Sequence, residues 1–334
     1  MKLLVVILNY RVTDLTIDCL RSLAGRVDRM SGTKVAVLEN GTGGDAFPRI
    51  RDAIASNGWG SWAELSEVHP NRGFCGGNNV IVRAALAAPD PPEYVLLLNA
   101  DTIVQDGTLE KLVEFMDAHP RAGIAAGTIL APNGEVEGPP YRFPGIATEL
   151  DRGLGLGFVS KLLAPWAINL PRPQAPAAVD WVSGTCMILR RTMLATIGLL
   201  DEGLYTYFDD IDICLRARRA NWETWFVPES RVVHLEGRST GITSRSVNRR
   251  PEYWFQARRR FYLKSYGAFY TALVDTAFLA GFALWRMRRA IQGKADRDPP
   301  QMLGDSFRNS VFMTGFEVRE VQNPALREPA SQTG

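Results

Sequence analysis

The side chains in this sequence best suited to chemistry are a handful of acids and one histidine. Asp101 closes the run Tyr94-Val95-Leu96-Leu97-Leu98-Asn99-Ala100-Asp101. A carboxylate at the end of an apolar run can hold a divalent cation through oxygen, and that cation can carry a diphosphate. An aspartate there also serves as an ordinary turn or helix-capping residue. Asp209, Asp210 and Asp212 open a segment that ends in Arg216, Arg218 and Arg219. Acids in the first turn and arginines in the last suit any helix, because they complement its dipole. Three acids within four positions, however, repel one another, which raises at least one pKa and poises a carboxylate to take a proton. His234 ends the short run 231–234 and opens a polar loop through Gly237, Arg238, Ser239 and Thr240. A lone histidine serves equally as a metal ligand or as a structural group.

These residues need a scaffold, and the apolar patterning supplies one. Residues 2–8, 34–38, 65–68 and 94–98 read as strands, with helices expected over 45–57, 78–88 and 107–119 and a further one at Val12, Thr16, Cys19, Leu20 and Leu23. The β-α-β-α alternation implies an α/β fold with a parallel sheet. Residues 122–130 are expected to lead the sheet outward, 180–190 to form another strand, 191–197 a short helix, and 222–227 and 231–234 two more strands. Three of the strand ends carry unusual loops, at 39–45, 71–79 and 99–102, with glycines or small residues that let backbone approach a ligand. Gly43-Gly44 and Gly76-Gly77 would be weak signals alone. Three such loops at one sheet edge describe a nucleotide pocket, since ligands of open α/β sheets bind outside the strand carboxyl ends.

Bulk properties narrow the class. The 334 residues are 46% hydrophobic and 22% charged with a net charge of +2, so a nucleic-acid partner held by a basic surface is not expected. Cys19, Cys75, Cys186 and Cys214 lack metal-ligand spacing and read as buried free thiols of a reducing compartment. The apolar start is broken at Asn9-Tyr10-Arg11 and reads as a strand, not a signal peptide. Glycines and prolines concentrate over 141–178 (Gly153, Gly155, Gly157, Pro165, Pro171, Pro173, Pro176), which reads as an excursion over an acceptor site. Residues 1–248 are expected to form the catalytic domain and 249–298 a helical extension. Within the extension, 249–264 is basic and aromatic and 268–285 apolar around Asp275. An interfacial membrane helix fits this pattern, with a helix packed on the domain or spanning the bilayer as alternatives. Residues 299–334 read as a poorly ordered tail.

The chain resembles family 2 of the glycosyltransferases, in its bacterial rhamnosyltransferase-like branch. The resemblance runs over about 3–266. It rests on the opening Val-Val-Ile-Leu-Asn-Tyr, the 39–45 loop, Asn-Arg-Gly-Phe-Cys-Gly-Gly-Asn-Asn at 71–79, Leu-Asn-Ala-Asp-Thr at 98–102, Trp-Val-Ser-Gly-Thr-Cys-Met-Ile-Leu-Arg-Arg at 181–191, and Asp201-Glu202 followed by the acids at 209–212. It implies a GT-A fold: a Rossmann-like, mostly parallel sheet with helices on both faces, plus the C-terminal helical extension. It further implies a dTDP- or UDP-sugar donor, Mn2+ or Mg2+, and inversion at the anomeric carbon. Asp101 matches the last acid of the family's Asp-x-Asp metal motif, whose first position is Asn99 here, and His234 matches a histidine that completes the metal site. Asp210 matches the catalytic base, with Asp209 where the family usually has Glu. Glu39 stands where the family has an Asp contacting the nucleobase; a carboxylate facing the N3–H of uracil or thymine disfavours cytosine, which presents an acceptor there. Arg72 replaces an apolar residue and is expected to contact the nucleotide. Nucleotide-sugar contacts are implied at Asn9, Glu39, Asn40, Asn71, Arg72, Gly76, Asn78, Asn99, Ala100, Asp101 and Gly184.

The expected function is therefore metal-dependent transfer of a rhamnose-like sugar to a lipid-linked or polysaccharide acceptor, by a cytoplasmic protein peripheral on the inner face of the cell membrane. A sugar-nucleotide pyrophosphorylase would need a glycine-rich basic loop after the first strand, where Asn9-Tyr10-Arg11 stands. An inactive membrane-associated scaffold would have no need of Asp101, Asp210 and His234 together.

Overall fold

In β1 (Leu3–Asn9), Leu3, Val5 and Ile7 pack on one face of the sheet and Leu4 and Val6 on the other. Burial on both faces is what an unbroken apolar strand is for. The chain continues through α1 (Thr13–Leu23), β2 (Thr33–Glu39), α2 (Ala46–Ser56), β3 (Ala63–Glu67), α3 (Gly73–Leu86) and β4 (Tyr94–Asn99). β3, β2, β1 and β4 lie side by side and parallel. Their carboxyl ends share one edge, with Asn9 level with Glu39 and Leu8 with Asn99. This is the edge on which the sequence concentrates its polar loops. The computed structural model describes residues 1–154, 167–235, 248–293 and 298–324. Gly155, Gly157 and Pro165, the loop residues Gly237, Arg238, Ser239 and Thr240, and the tail beyond 324 lie outside the described residues.

The second half of the sheet is mixed. It comprises β5 (Thr102–Val104), α4 (Thr108–Ala118), β6 (Ala122–Leu130), β7 (Val136–Glu137), α5 (Ile146–Leu154), β8 (Ala177–Val179), β9 (Cys186–Arg190), α6 (Arg191–Ile197), α7 (Asp209–Arg219) and β10 (Glu223–His234). β9 inserts between β4 and β6, antiparallel to both. The sheet order is β3-β2-β1-β4-β9-β6-β10-β5, with β7 on β6 and β8 on β10. The expected mostly parallel α/β architecture is present: β6 and β10 pair in parallel and run the same way as the first four strands, with β9, β5, β7 and β8 antiparallel to their neighbours. Several local expectations change. β6 lies inside the sheet instead of leading outward. The two strands expected at 222–227 and 231–234 are one strand, β10, whose register shifts between Val227 and Arg231. Regular pairing expected from residue 180 begins only at Cys186, because Ser183-Gly184-Thr185 turns at the polar edge. α3 starts at Gly73, five residues before the helix expected from residue 78.

The C-terminal segment is part of the same body. α8 (Glu252–Ile291) is bent at Gly267, whose φ of 81° lies outside helical values, and is followed by α9 (Met302–Arg308) and α10 (Val311–Thr314). Trp254, Phe255, Phe261, Tyr262, Val274, Phe278 and Phe282 join Leu4, Val6, Val95 and Leu97 in one core, while the other sheet face packs on α1, α2 and α4. Met302, Val311 and Val321 are buried too, so the tail expected to be poorly ordered from residue 299 is packed at least through residue 324. Nor does the basic stretch 249–264 point outward as a whole. Arg260 pairs with Asp201, and Lys264 with Asp201 and Asp212.

Arg258 is the internal rivet of this arrangement. Its guanidinium meets Asp275 at 2.6 Å and Glu149 of α5 at 3.1 Å, both carboxylates being buried. Tyr262 donates to the other Glu149 oxygen, and the Val311 amide donates to Asp275. Arg258→Met would strand two buried carboxylates, and breaking a buried pair in this way costs about 3–5 kcal/mol. Urea unfolding should register that loss, with partial recovery in the double variant Arg258→Met/Glu149→Gln. An unchanged unfolding midpoint in the single variant would show that the network carries no stability.

Candidate active site

The shared edge of β1, β2 and β4 is capped by turns that only certain residues allow. Gly41 has φ +86°, and a Cβ there would sit 2.4 Å from the Asn71 amide nitrogen. Gly73 has φ +69°, and a Cβ there would meet the Tyr205 carbonyl at 2.4 Å. These two glycines let the β2–α2 loop, the start of α3 and the 205–208 segment close on one another. Asn40 ties them together: its amide donates to Asn71 Oδ1 and the Gly73 carbonyl, and its Oδ1 accepts from the Arg72 amide.

Into the space left between these turns opens a cavity of about 520 Å3. Asn40, Asn71, Asn99, Ala100, Asp101, Gly184, Asp209, Asp210 and His234 line it, as the sequence reading requires. Asp101 and His234 come from distant positions but meet through β10, which runs antiparallel to β5 and sets His234 opposite Thr102. His234 Nε2 lies 3.2 Å from Asp101 Oδ1, and the Leu235 amide donates to the Asp101 carbonyl. One carboxylate oxygen and one imidazole nitrogen at this spacing, facing a cavity, form a donor set that suits Mn2+ or Mg2+ with the remaining positions left to diphosphate oxygens and water. A second cluster, Glu39, Glu67 and His69, also brings ligand atoms together. It does not line the cavity, and both Glu39 oxygens already accept backbone amides, from Gly41 and Thr42.

Asp209 and Asp210 begin α7, directly after Tyr207 and Phe208, whose φ values are +67° and +61°. Two successive non-glycine residues in the left-handed region are costly, about 1–3 kcal/mol each, and such strain clusters where side chains must be aimed. Here it turns the chain so that both acids face the cavity. Asp212 is disarmed by Arg216 and Lys264, each at 2.8 Å, leaving the other two to interact. Burial pushes Asp210 up from 3.8 to about 6, against the Ile211 and Gly184 amides that favour its ionised form. Burial, then the charge of Asp210, lifts Asp209 well above the ordinary carboxylate range. A base of this kind is idle when protonated. Activity should therefore rise with pH, with the midpoint near pH 6 and a plateau above it, in a kcat/KM profile. A profile flat from pH 5 to 8 would mean that no group of this pair gates the reaction.

Five expected nucleotide contacts fall outside the cavity lining. The Glu39 carboxylate is folded under its own loop, 1% exposed, because strand-end position alone does not decide which way the following turn closes. Asn9 is fully buried and accepts the Thr16 hydroxyl. Arg72 is exposed to solvent. Gly76 and Asn78 lie within α3, where the Asn78 amide donates to the Phe74 carbonyl. Conversely, the cavity includes Tyr10, Arg11, Ser183, Tyr205 and Thr206, and Tyr253 from α8, which stacks on Tyr207. The aromatic run before Asp209 was the available signal for the 205–208 wall. Tyr253 was hidden by the membrane reading of its segment.

With this geometry in view, residues 2–252 match the family model described as glycosyltransferase like family 2. An N-acetylglucosaminyl-diphospho-decaprenol L-rhamnosyltransferase of Mycobacterium tuberculosis is 28% identical over 160 residues, 45% of this chain and 49% of that protein. Rhamnosyltransferase WbbL of Escherichia coli K12 is 24% identical over 170 residues, 48% of this chain and 60% of that protein. The chain thus spans about half the length of the curated relatives it matches. Among solved structures, GalNAc-T7 with UDP, GalNAc and Mn2+ superposes with a TM-score of 0.59 at 14% identity, covering 88% of this chain and 55% of that one. The mannosyltransferase PcManGT of Pyrobaculum calidifontis, in complex with GDP-Man and Mn2+, gives 0.53 at 14% identity, covering 94% and 84%. At these identities the likeness concerns the fold, which is of the GT-A type.

Proposed function

Because the chain belongs to glycosyltransferase-like family 2, we propose that it transfers a sugar from a nucleoside diphosphate donor to an acceptor hydroxyl, with inversion at the anomeric carbon. The observation that carries this reading is the convergence of Asp101, His234 and Asp210 on one cavity. Asn40 and Asn71 hold the nucleotide side of the donor, and Asp101 and His234 would hold the metal ion. When bound, Mn2+ or Mg2+ supplies positive charge that stabilises the departing diphosphate. Asp210 accepts the proton of the acceptor hydroxyl as its oxygen bonds to the anomeric carbon and the bond from that carbon to the diphosphate breaks. Asp209, whose own ionisation is opposed by burial and by the charge of Asp210, lines the same cavity and orients or tunes its neighbour.

For the sugar we read a rhamnose-like hexose, following the printed names of the relatives, and for the base dTDP or UDP, as the family resemblance implies. Glu39 acts on base choice indirectly, by holding the loop that carries Asn40. The acceptor is read as lipid-linked or polysaccharide. Incubating the protein with a panel of dTDP-, UDP-, GDP- and CDP-sugars and Mn2+, and following nucleoside diphosphate release, tests the reading. Release from dTDP- or UDP-hexoses is expected. No release from any donor would favour the inactive scaffold.

A lipid-linked acceptor calls for work at the inner face of a cell membrane by a peripheral, cytoplasmic protein. What supports this is a stripe on the second arm of α8: Phe269, 80% exposed, then Leu273, Leu284, Met287 and Ile291, 79% exposed, all at helical spacing. Exposed Arg286 and Arg288 flank it. Val274, Asp275, Phe278 and Phe282 on the opposite side are buried in the protein, which favours docking over spanning. The protein should co-sediment with anionic vesicles, and Phe269→Ser/Ile291→Ser should weaken that binding several-fold. Equal sedimentation of the variant would move the contact elsewhere.

A further inference from the structure

A second cavity, of about 560 Å3, adjoins the first and shares Tyr207, Phe208 and Asp210 with it. The two cavities are chemically unlike. The first contains the Asp101–His234 pair and the asparagine-bearing loops. The second is walled by Tyr141 and Trp181, whose rings stack with centroids 4.1 Å apart and planes 13° apart, and by Trp254. Polar groups interrupt this aromatic wall at Asp151, Arg152 and Asn169.

A transfer reaction between two substrates needs two sites that meet at the group taking the proton. We propose that the second cavity binds a pyranose ring of the acceptor, with the Tyr141–Trp181 stack as its platform. This rests on the transfer reading above and specifies its acceptor side. The chemistry of the wall fits a sugar. A pyranose presents C–H groups on its faces, which pack on aromatic surfaces, and hydroxyls around its rim, which pair with carboxylate, guanidinium and amide groups. A lipid chain has no groups to pair with a wall that carries a carboxylate, a guanidinium and an amide, and a diphosphate would meet Asp151 and Asp210 as like charges.

The platform is rigid. Tyr141 and Trp181 exchange backbone hydrogen bonds, each at 3.2 Å, and Trp181 Nε1 donates to the Arg142 carbonyl at 2.9 Å. The opposite wall is α5, which the buried Glu149–Arg258 pair fastens to α8. Asp151, Arg152, which lies over the Trp254 ring, and Asn169 line the same cavity. Tyr141 and Asn169, from the described parts of the glycine- and proline-rich stretch, thus stand on the acceptor side.

The test uses the full-length protein and a set of methyl hexopyranosides, including methyl N-acetylglucosaminide and methyl rhamnoside, as soluble probes. In wild type, at least one should accept sugar and show saturation-transfer NMR contact with the protein. Trp181→Ala should raise KM for that probe about tenfold, as loss of an aromatic contact predicts. Trp181→Phe should retain most affinity, and Asn169→Ala should raise KM several-fold. Affinity for the nucleoside diphosphate, read by calorimetry, should stay within twofold, and melting curves identify any variant that fails to fold. Probe KM and saturation transfer unchanged in both Trp181→Ala and Asn169→Ala would overturn the proposal. So would the absence of any probe contact in wild type. If wild type releases nucleotide from no donor, the transfer reading fails, while Trp181-dependent saturation transfer would still uphold a sugar site.

Discussion

Asp210→Asn is expected to lower kcat by about 10²–10⁴-fold, the usual contribution of a general base. The amide preserves size and most hydrogen bonding, including acceptance from the Ile211 amide, but cannot take the acceptor proton. Nucleoside diphosphate affinity should hardly change, because Asn40, Asn71, Asp101 and His234 stay as they are. Asp209→Asn should cost less. The variant should also be more stable than wild type at neutral pH. A carboxyl whose folded pKa is raised from 3.8 to about 6 binds its proton more tightly when folded, so stability falls as pH rises from about 4 to about 6 and stays lower above that. Asparagine never ionises and escapes the penalty, a gain on the order of 1–3 kcal/mol. Slower catalysis with a higher melting temperature would separate a lost base from a damaged fold. Near wild-type transfer by Asp210→Asn, with Asp209→Asn dead, would reverse the two roles.

Removing the carboxylate proposed to hold the metal should be equally damaging but in a different place. Chelation should abolish transfer, and added Mn2+ or Mg2+ should restore it. Asp101→Ala should lower transfer by about 10³-fold, since a lost cation forfeits several kcal/mol of stabilisation at the leaving diphosphate. Unlike the Asp210 variant, it should also lose metal-dependent nucleotide binding. His234→Ala should show the same defect in milder form, because Asp101 still offers an oxygen. Full activity in excess chelator would dismiss the cation from the mechanism.

How much of this was readable from residues alone follows the physics of each feature. Strands buried on both faces leave continuous apolar runs, so β1, β2 and β4 were visible together with the polar ends that follow them. Asp101 and His234 could be picked out because they stand at strand ends, and Asp210 because three acids open a helix and the family resemblance singles it out among them. What escaped depends on partners remote in sequence. Nothing near Arg258 announces Glu149 and Asp275 as its companions, so a buried rivet looked like part of a basic surface. Gly76-Gly77 read as a loop because two glycines disfavour helix, yet Gly77 lets α3 approach Asn40 and Leu8 more closely than a Cβ would permit. Glu39 was correctly located at the edge, but the direction of its carboxylate was set by a turn that takes both oxygens. The order of residues 298–324 comes from Met302, Val311 and Val321 packing on the rest of the protein, a tertiary effect that composition does not reveal.

Direct attack by an acceptor oxygen whose proton goes to Asp210 has one stereochemical consequence that requires no knowledge of the acceptor. When water takes the acceptor's place, the sugar first released should carry the anomeric configuration opposite to that in the donor. Proton NMR of donor hydrolysis, recorded in the first minutes before mutarotation equilibrates the anomers, reads this directly. The inverted anomer from wild type, with the signal lost in Asp210→Asn, is the predicted result. Release with the donor's configuration retained would contradict a single displacement in which Asp210 takes the proton.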